Sequence, residues 1–180
     1  MTNTTLKTGM FPLTTPRLSM RPMIKADWPL FHRLHTDNAV IAQCFDPMPL
    51  DEIETRFEQR LTPWSPDAKH WLCLVIVETA TQTPIGVTGF LLEQDVAEVG
   101  YLLLPPYHGR GYGTESLQAV TDFAIHHGDA RIINATVTAG NLASARVLEK
   151  VGFQLSRIDP DAFAIGGVCY DDWIYTYTAA

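Results

Sequence analysis

This 180-residue sequence has few cysteines, no cationic excess and no long apolar run. Its three cysteines, Cys44, Cys73 and Cys169, are odd in number and lack Cys-x-x-Cys spacing. That argues against a disulfide framework and against a cysteine zinc site. The six histidines form no His-x-x-x-His or His-Glu-x-x-His pattern, so no metal is implied. No stretch approaches the roughly 18 uninterrupted apolar residues of a membrane helix. The longest strand-like run, Trp71 to Val77, has the length of a core strand. The opening Met1-Thr-Asn-Thr-Thr-Leu-Lys7 has no cationic stretch followed by an apolar one, so no secretory signal is expected and a cytoplasmic location is. Lys and Arg number 13 against 20 Asp and Glu, a formal charge of −7. Such a balance disfavours nonspecific binding to nucleic acid or anionic membrane. It suits a cationic partner such as an amine or a basic protein tail, although solubility alone also accounts for an acidic surface.

What is present describes an ordinary globular chain: 46% hydrophobic and 18% charged residues, enough for one domain spanning residues 1–180 with a sizeable core. Leu18 and Met20 alternate with Arg17, Ser19 and Arg21, the pattern of a half-buried strand. Asp27 is placed to cap a helix with Pro29 in its first turn and Leu30, Phe31 and Leu34 on one face. Asp51-Glu-Ile-Glu54 resembles a capping box, and Ile53, Phe57 and Leu61 recur at helical spacing up to Pro63. Two helices are therefore expected after the first strand. Trp71 to Val77, Pro84 to Leu92 and Val96 to Leu104 follow as strands joined by short turns, an antiparallel meander. From Tyr112 the period turns helical through Leu117, Val120 and Phe123, with Gly128 as a stop. Ile133, Ala135 and Val137 alternate as a strand, a helix runs from Asn141 to Val151 with Gly152 at its end, and Phe153–Ile158 and Val168–Tyr177 close the chain as two antiparallel strands. Strand, helix, strand across residues 96–138 predicts a parallel βαβ unit. The expected fold class is α/β: one mixed, mostly antiparallel sheet around that unit, with helices on both faces.

Chemistry concentrates in Leu104-Pro-Pro-Tyr-His-Gly-Arg-Gly-Tyr-Gly-Thr-Glu115. A strand meets two prolines, then the alternate glycines Gly109, Gly111 and Gly113, then a helix start. Glycines let successive N–H groups turn toward one point, and the free N–H groups at a helix N-terminus favour an anion. No lysine stands where a Walker loop needs one, and the third glycine of the dinucleotide fingerprint would fall on Thr114 or Ser116. Taken alone, the cluster favours a flexible turn. A second signal, Asn141-Leu-Ala-Ser144-Ala-Arg-Val-Leu148-Glu-Lys-Val-Gly152-Phe153, changes that balance.

With Ala97-Glu-Val-Gly-Tyr101, the two signals closely resemble the GNAT superfamily of acyl-CoA-dependent N-acetyltransferases. They are most similar to the branch that acetylates the N-termini (alanine or serine) of ribosomal proteins. The resemblance is most specific over residues 96–153, the expected coenzyme A-binding core. It implies acetyl-CoA as cosubstrate, with the strand backbone of Tyr101, Leu102 and Leu103 pairing with pantetheine amides like an added strand. It implies that His108, Gly109, Arg110, Gly111, Tyr112, Gly113 and Thr114 cradle the pyrophosphate. His108 departs from the family's usual Gln or Arg there, and an arginine in solvent is the alternative reading of Arg110. Asn141 and Ser144 are implied beside the thioester. Glu98 is the candidate general base, acting directly or through water, with an outward-facing strand residue as its alternative. The tyrosine that most of the superfamily carries on the second helix is replaced by Leu148, and Ser144 is the residue expected to hydrogen-bond the sulfur. Phe45 and Asp46, in the Thr36–Pro49 connection, are candidate acceptor contacts; a loop that packs Phe45 into the core is the other reading.

The resemblance implies transfer of acetyl to a primary amine by direct attack on the thioester, no cysteine being paired with the site for a covalent route. The N-terminal α-amine of a ribosomal protein is the expected acceptor, since an α-amine with pKa near ~8 needs less help from a base than a lysine near ~10.4. A small amine as acceptor, and a non-catalytic acyl-CoA-binding module, are the competing readings. No nucleic acid, membrane or metal is expected, and either a monomer or a homodimer is compatible with the chain.

Overall fold

The computed structural model describes residues 9–180. Strands β1 (Leu13–Thr14) and β2 (Leu18–Pro22) lead into helices α1 (Trp28–Thr36), α2 (Asn38–Ile41) and α3 (Leu50–Arg60). Strands β3 (Leu72–Glu78), β4 (Thr83–Glu93) and β5 (Val96–Leu103) then form the meander. Helix α4 (Tyr112–Gly128), strand β6 (Ile132–Thr138), helix α5 (Leu142–Val151) and the hairpin β7 (Gln154–Ile165) and β8 (Val168–Thr178) complete the chain. All strands join one sheet in the order β1-β2-β3-β4-β5-β6-β8-β7. The α/β expectation of one mixed, mostly antiparallel sheet with a parallel pair at its centre holds.

Two apolar clusters sit on opposite faces of this sheet. Against α4 and α5 lie Leu74, Ile76, Phe90, Leu117, Ile133 and Leu148 with their neighbours; against α1 to α3 lie Phe31, Leu34, Ile53, Phe57, Val75 and Val87. Alternate residues of β3 enter alternate clusters, as strand periodicity requires. Each fully buried Leu, Ile or Phe contributes roughly 1.5–3 kcal/mol of transfer free energy.

Several local expectations are corrected. Asp27 stands at the N-cap of α1, but its carboxylate makes no cap bond. It accepts instead from both Arg21 guanidinium nitrogens (2.8 Å each) and from Ile24 N (2.8 Å). The arginine outcompetes the helix end for the buried carboxylate because charge-assisted bonds are the stronger ones. The Asp51–Glu54 box does not form either, since α3 begins at Leu50 with Pro49 at its N-cap, which leaves Asp51 and Glu52 in the first turn. The helix α2, within the connection expected to be a loop, is capped by Asp37 accepting from Ala39 N (3.0 Å). At the end of α4 it is Asp129 (φ 54°), not Gly128, that takes the left-handed position. Strand β7 runs on to Ile165, although Asp159-Pro-Asp161 reads as a break. Its register shifts between Asp159 and Phe163, with Asp161 at φ 48°. An edge strand tolerates a proline at such a bulge, because its outer N–H has no partner to lose.

Candidate active site

The site begins where the sheet opens. Strands β5 and β6 pair only at Val96↔Ile132, Ala97↔Ile133 and Glu98↔Asn134. Beyond Glu98 they separate, well before Pro105 and Pro106. Strand β5 continues against β4 to Leu103, and β6 continues against β8 to Thr138. A wedge is left between them.

Ladder alternation decides which backbone groups face it. Leu104 N donates to Ile85 O (2.9 Å), so Leu102 and Gly100 also pair toward β4, while Val99, Tyr101 and Leu103 turn the other way. The Leu102 carbonyl does press on β4: a Cβ placed on Gly86 would lie 2.3 Å from it. The expectation that Leu102 offers its backbone to the wedge is therefore corrected. The wedge-facing carbonyl of Leu103 accepts from His108 Nε2 (2.8 Å). That bond holds the ring against the strand end, where a longer Gln or Arg would extend outward.

The glycine loop leads into α4 with Gly109 (φ 71°) and Gly111 (φ 81°) both in the left-handed region, Gly111 serving as N-cap. The first bond of the helix is Glu115 N to Gly111 O (3.0 Å). The N–H groups of Tyr112, Gly113 and Thr114 thus project off the end of a 17-residue helix. Around this cradle the side chains brace one another. Arg17 donates to Glu115 (2.7 Å) and to the Arg110 carbonyl (2.9 Å). The Tyr112 hydroxyl donates to Glu78, whose carboxyl is held below its ordinary range by hydrogen bonds from Thr81 and Tyr112. Arg110 lies across the rings of Tyr107 and Tyr112 (5.6 and 5.1 Å) and reaches Glu78 at 3.5 Å, with half its side chain still exposed. It is tethered to the loop.

A cavity of about 280 Å³ occupies the wedge and passes through the sheet. On the α4/α5 side its lining includes Leu117, Asn141, Ser144 and Leu148; on the other side it includes Gln43, Cys44, Thr136, Phe163 and Asp172. Val99, Gly100 and Tyr101 form the rim between them. Asn141 caps α5 by accepting from Ser144 N (3.3 Å), which fixes both residues at the cavity wall. A second pocket of about 130 Å³, lined by Phe31, His35, Arg60 and Trp71 among others, meets the first at Gly100 and Tyr101.

Glu98 points to the α1–α3 face. Its carboxylate accepts from Thr136 Oγ1 (2.9 Å), and its pKa is raised, first by burial and then by the charge of Asp172. Asp172 is itself raised, by burial and by Asp159 opposite it on β7. Asp172 lines the cavity, and Glu98 stands behind Thr136. Cys44 also lines it, with its thiol pushed up by burial; that of Cys73 is pushed up to about 12 by the same cause. Neither of the two is poised as a thiolate nucleophile.

Phe45 and Asp46 do not line the cavity. Phe45 stacks on His35 (centroids 5.8 Å), and Asp46 Oδ1 accepts from Gly166 N (2.7 Å). The connection before α3 is thereby clasped to the tip of the β7–β8 hairpin. Gln43, Cys44, Phe163 and Asp172 were not singled out from sequence. Only the outward alternation of Thr136 and Thr138 against Ala135 and Val137 hinted at which face of β6 would be polar.

Residues 17–154 match the family model described as an acetyltransferase (GNAT) domain. The chain belongs to the GNAT acetyltransferase family. A probable N-acetyltransferase of Bacillus subtilis, YjcK, is 40% identical over 75 residues, 42% of this chain. That match spans only 41% of the relative's length. Among solved structures, the ribosomal L7/L12 α-N-protein acetyltransferase RimL, in complex with coenzyme A, is 22% identical, with TM-score 0.79 over 93% of this chain and 97% of that one. Spermidine N-acetyltransferase of Vibrio cholerae, in complex with coenzyme A and spermine, is 18% identical, with TM-score 0.79 over 91% and 96%. These likenesses confirm the fold. Among the described residues, no group of three or more His, Cys, Asp or Glu is placed to hold a metal ion, and no helix is long and apolar enough to cross a membrane.

Proposed function

We propose that this GNAT chain is an acetyl-CoA-dependent N-acetyltransferase acting on a primary amine, the N-terminal α-amine of a ribosomal protein being the acceptor. One observation carries the reading: a cavity passes through the sheet at the β5–β6 wedge, with an anion cradle at the start of α4 and two carboxylates on the opposite face. The wedge fits acetyl-CoA. Val99 and Tyr101 offer unpaired backbone for the amides of pantetheine, the α4 N-terminus offers N–H groups for its pyrophosphate, and Asn141 and Ser144 wall the thioester end. When bound, the thioester supplies an activated acetyl group.

The protein's own groups divide the work. N–H groups of the β5 rim stabilise the negative charge that grows on the acetyl oxygen. Glu98, acting through water past Thr136, removes the proton of the attacking amine, and Asp172 adds negative potential that draws a cation inward. With the cavity cysteine held as a thiol, direct attack is favoured over a covalent acetyl-enzyme. The side pocket beside Gly100 supports the N-terminal acceptor, because a first residue has a side chain to place there and a polyamine has none. Arg60, whose charge lines that pocket, opposes a polycation.

A small polyamine is the second reading, favoured by the carboxylates of Glu98, Asp172 and Asp159 along one face. Intact-mass detection of acetyl transfer to peptides differing in first residue, each with a free or a blocked α-amine, tests the proposal against spermidine and aminoglycosides. Transfer lost on α-blocking supports it. Transfer to spermidine alone selects the second reading, and coenzyme binding with no transfer to any amine leaves a binding module.

A further inference from the structure

The side pocket beside Gly100 holds a charge that the protein itself does not balance. Arg60, in the last turn of α3, is half-buried there with its guanidinium over the Trp71 ring (5.4 Å to the centroid). Burial lowers its pKa and the charge of Arg56 lowers it further, yet a guanidinium keeps its proton. Arg56 has its own partner in Glu52 (2.8 Å). Among the described residues, no carboxylate forms an ion pair with Arg60. The ring face compensates only part of the charge, so a guanidinium partly withdrawn from water is left short of an anion.

The pocket's other polar groups are engaged or neutral. Thr88 Oγ1 donates to the Gly100 carbonyl (3.1 Å), and His35 Nδ1 donates to the Phe31 carbonyl (2.7 Å) while its ring stacks on Phe31 (4.1 Å between centroids). The Cys73 thiol, pushed up to about 12 by burial, is neutral at pH 7. Placement then ties the pocket to the chemistry. Gly100 and Glu98 share one face of β5, two residues or about 7 Å apart along the strand. A Cβ on Gly100 would stand 3.9 Å from Trp71 Cη2 and Cζ3, so the missing side chain marks the passage between cavity and pocket, with Trp71 as its wall. This face is bipolar: the carboxylates of Glu98 and Asp172 stand at the wedge, and the guanidinium of Arg60 lies beyond Gly100.

We propose that the side pocket reads a carboxylate on the acceptor, so that the preferred substrate is a protein N-terminus whose first residue is aspartate or glutamate, paired with Arg60. This rests on the N-terminal reading above and narrows it. The α-amine is drawn to the negative end of the face, and the first side chain turns past Gly100 to the positive end. A fork of two N–H groups on one carboxylate then fixes the line on which the amine approaches. A first serine or alanine fits the pocket but leaves Arg60 without its anion.

The test compares kcat/KM for acetyl transfer to peptides identical except for a first residue of Asp, Asn, Glu, Gln, Ser or Ala. Each is amidated at its C-terminus, and the wild-type chain, R60Q and R60K are used, with coenzyme A binding followed by calorimetry. In the wild-type chain Asp should exceed Asn, and Glu exceed Gln, by about 10–100-fold, mostly through KM. The ratio should fall to about one in R60Q and to an intermediate value in R60K, which keeps a charge without the fork. A wild-type ratio near one, a wild-type preference for Ser or Ala over Asp, or a ratio that persists in R60Q overturns the proposal and leaves the N-terminal reading standing. Should R60Q not fold, the wild-type and R60K ratios decide. Coenzyme binding with transfer only to spermidine or to free amino acids, or with no transfer at all, overturns both.

Discussion

The two halves of the sheet are built on different terms. Through β3 and from Ile85 to Phe90 of β4 nearly every residue is buried, because α1 to α3 cover one face and α4 covers the other; Leu74, Val75 and Ile76 are all at 0% exposure. From β6 to β7 only the face toward α5 is packed, and the other is polar. There Thr176 donates to Asn134 (2.8 Å), Ser156 pairs with Thr176 (2.8 Å), and Asp159 and Asp172 sit opposite each other. Strand β7 is exposed along almost its whole length. The first half holds the molecule together, and the second supplies a surface that can be varied without dissolving the core. The wedge between β5 and β6 lies on the seam; on the proposed reading, a packed strand holds the coenzyme side and a polar one meets the amine.

Breaking each half should produce different failures. Phe90, fully buried between Trp64 and Phe123, anchors the first half. F90A should lose about 3–5 kcal/mol of stability in denaturant titration. F163A, at the cavity mouth and 41% exposed, should lose under about 1 kcal/mol yet raise the acceptor KM several-fold. Equal destabilisation by both would erase the distinction.

Glu98 sits on the seam, and E98Q should lower kcat about 100-fold or more with coenzyme affinity kept. Its pKa is raised in the folded state, so folding stability falls as pH rises from the unfolded value through the folded one. The neutral variant should therefore be no less stable than the wild-type chain at pH 7, which thermal melts will show. Next in size, G111V forces a branched side chain to φ 81°, with its Cβ 3.2 Å from Arg17 Nη2. Coenzyme A affinity measured by calorimetry should fall about tenfold.

The smallest effect sharpens the comparison. Asp172 helps to hold the Glu98 pKa up by charge repulsion, and D172N removes that repulsion. The acid limb of kcat/KM, expected above the ordinary glutamate range in the wild-type chain, should move to lower pH in D172N. A limb that stays in place, or moves upward, would remove Glu98 from the role of base.

Much of this was legible in advance where neighbours in sequence act together. The alternation of Ile133, Ala135 and Val137, the glycine-led start of α4 and the Asn141–Ser144 cap are local patterns, and all three stand in the fold. The capping signals at Asp27 and Asp51 misled, since a cap competes with whatever partner the tertiary structure brings: Arg21 claims Asp27. Phe45 and Asp46 were singled out by lying in the right connection. Their own side chains turn to His35 and Gly166, and their neighbours Gln43 and Cys44 reach the cavity.

By itself the sequence determined the element order apart from β1 and α2, the mixed sheet with its central parallel pair, and the glycine-led start of α4, because each follows from periodicity, glycine backbone freedom and helix-end chemistry within a short window. Only the tertiary structure decided that β5 and β6 part after Glu98, that Leu102 faces β4 while Tyr101 faces the wedge, and that Asp172 approaches Glu98 from the far end of the chain. Those outcomes depend on register between strands distant in sequence, and a single step of register reverses which groups meet.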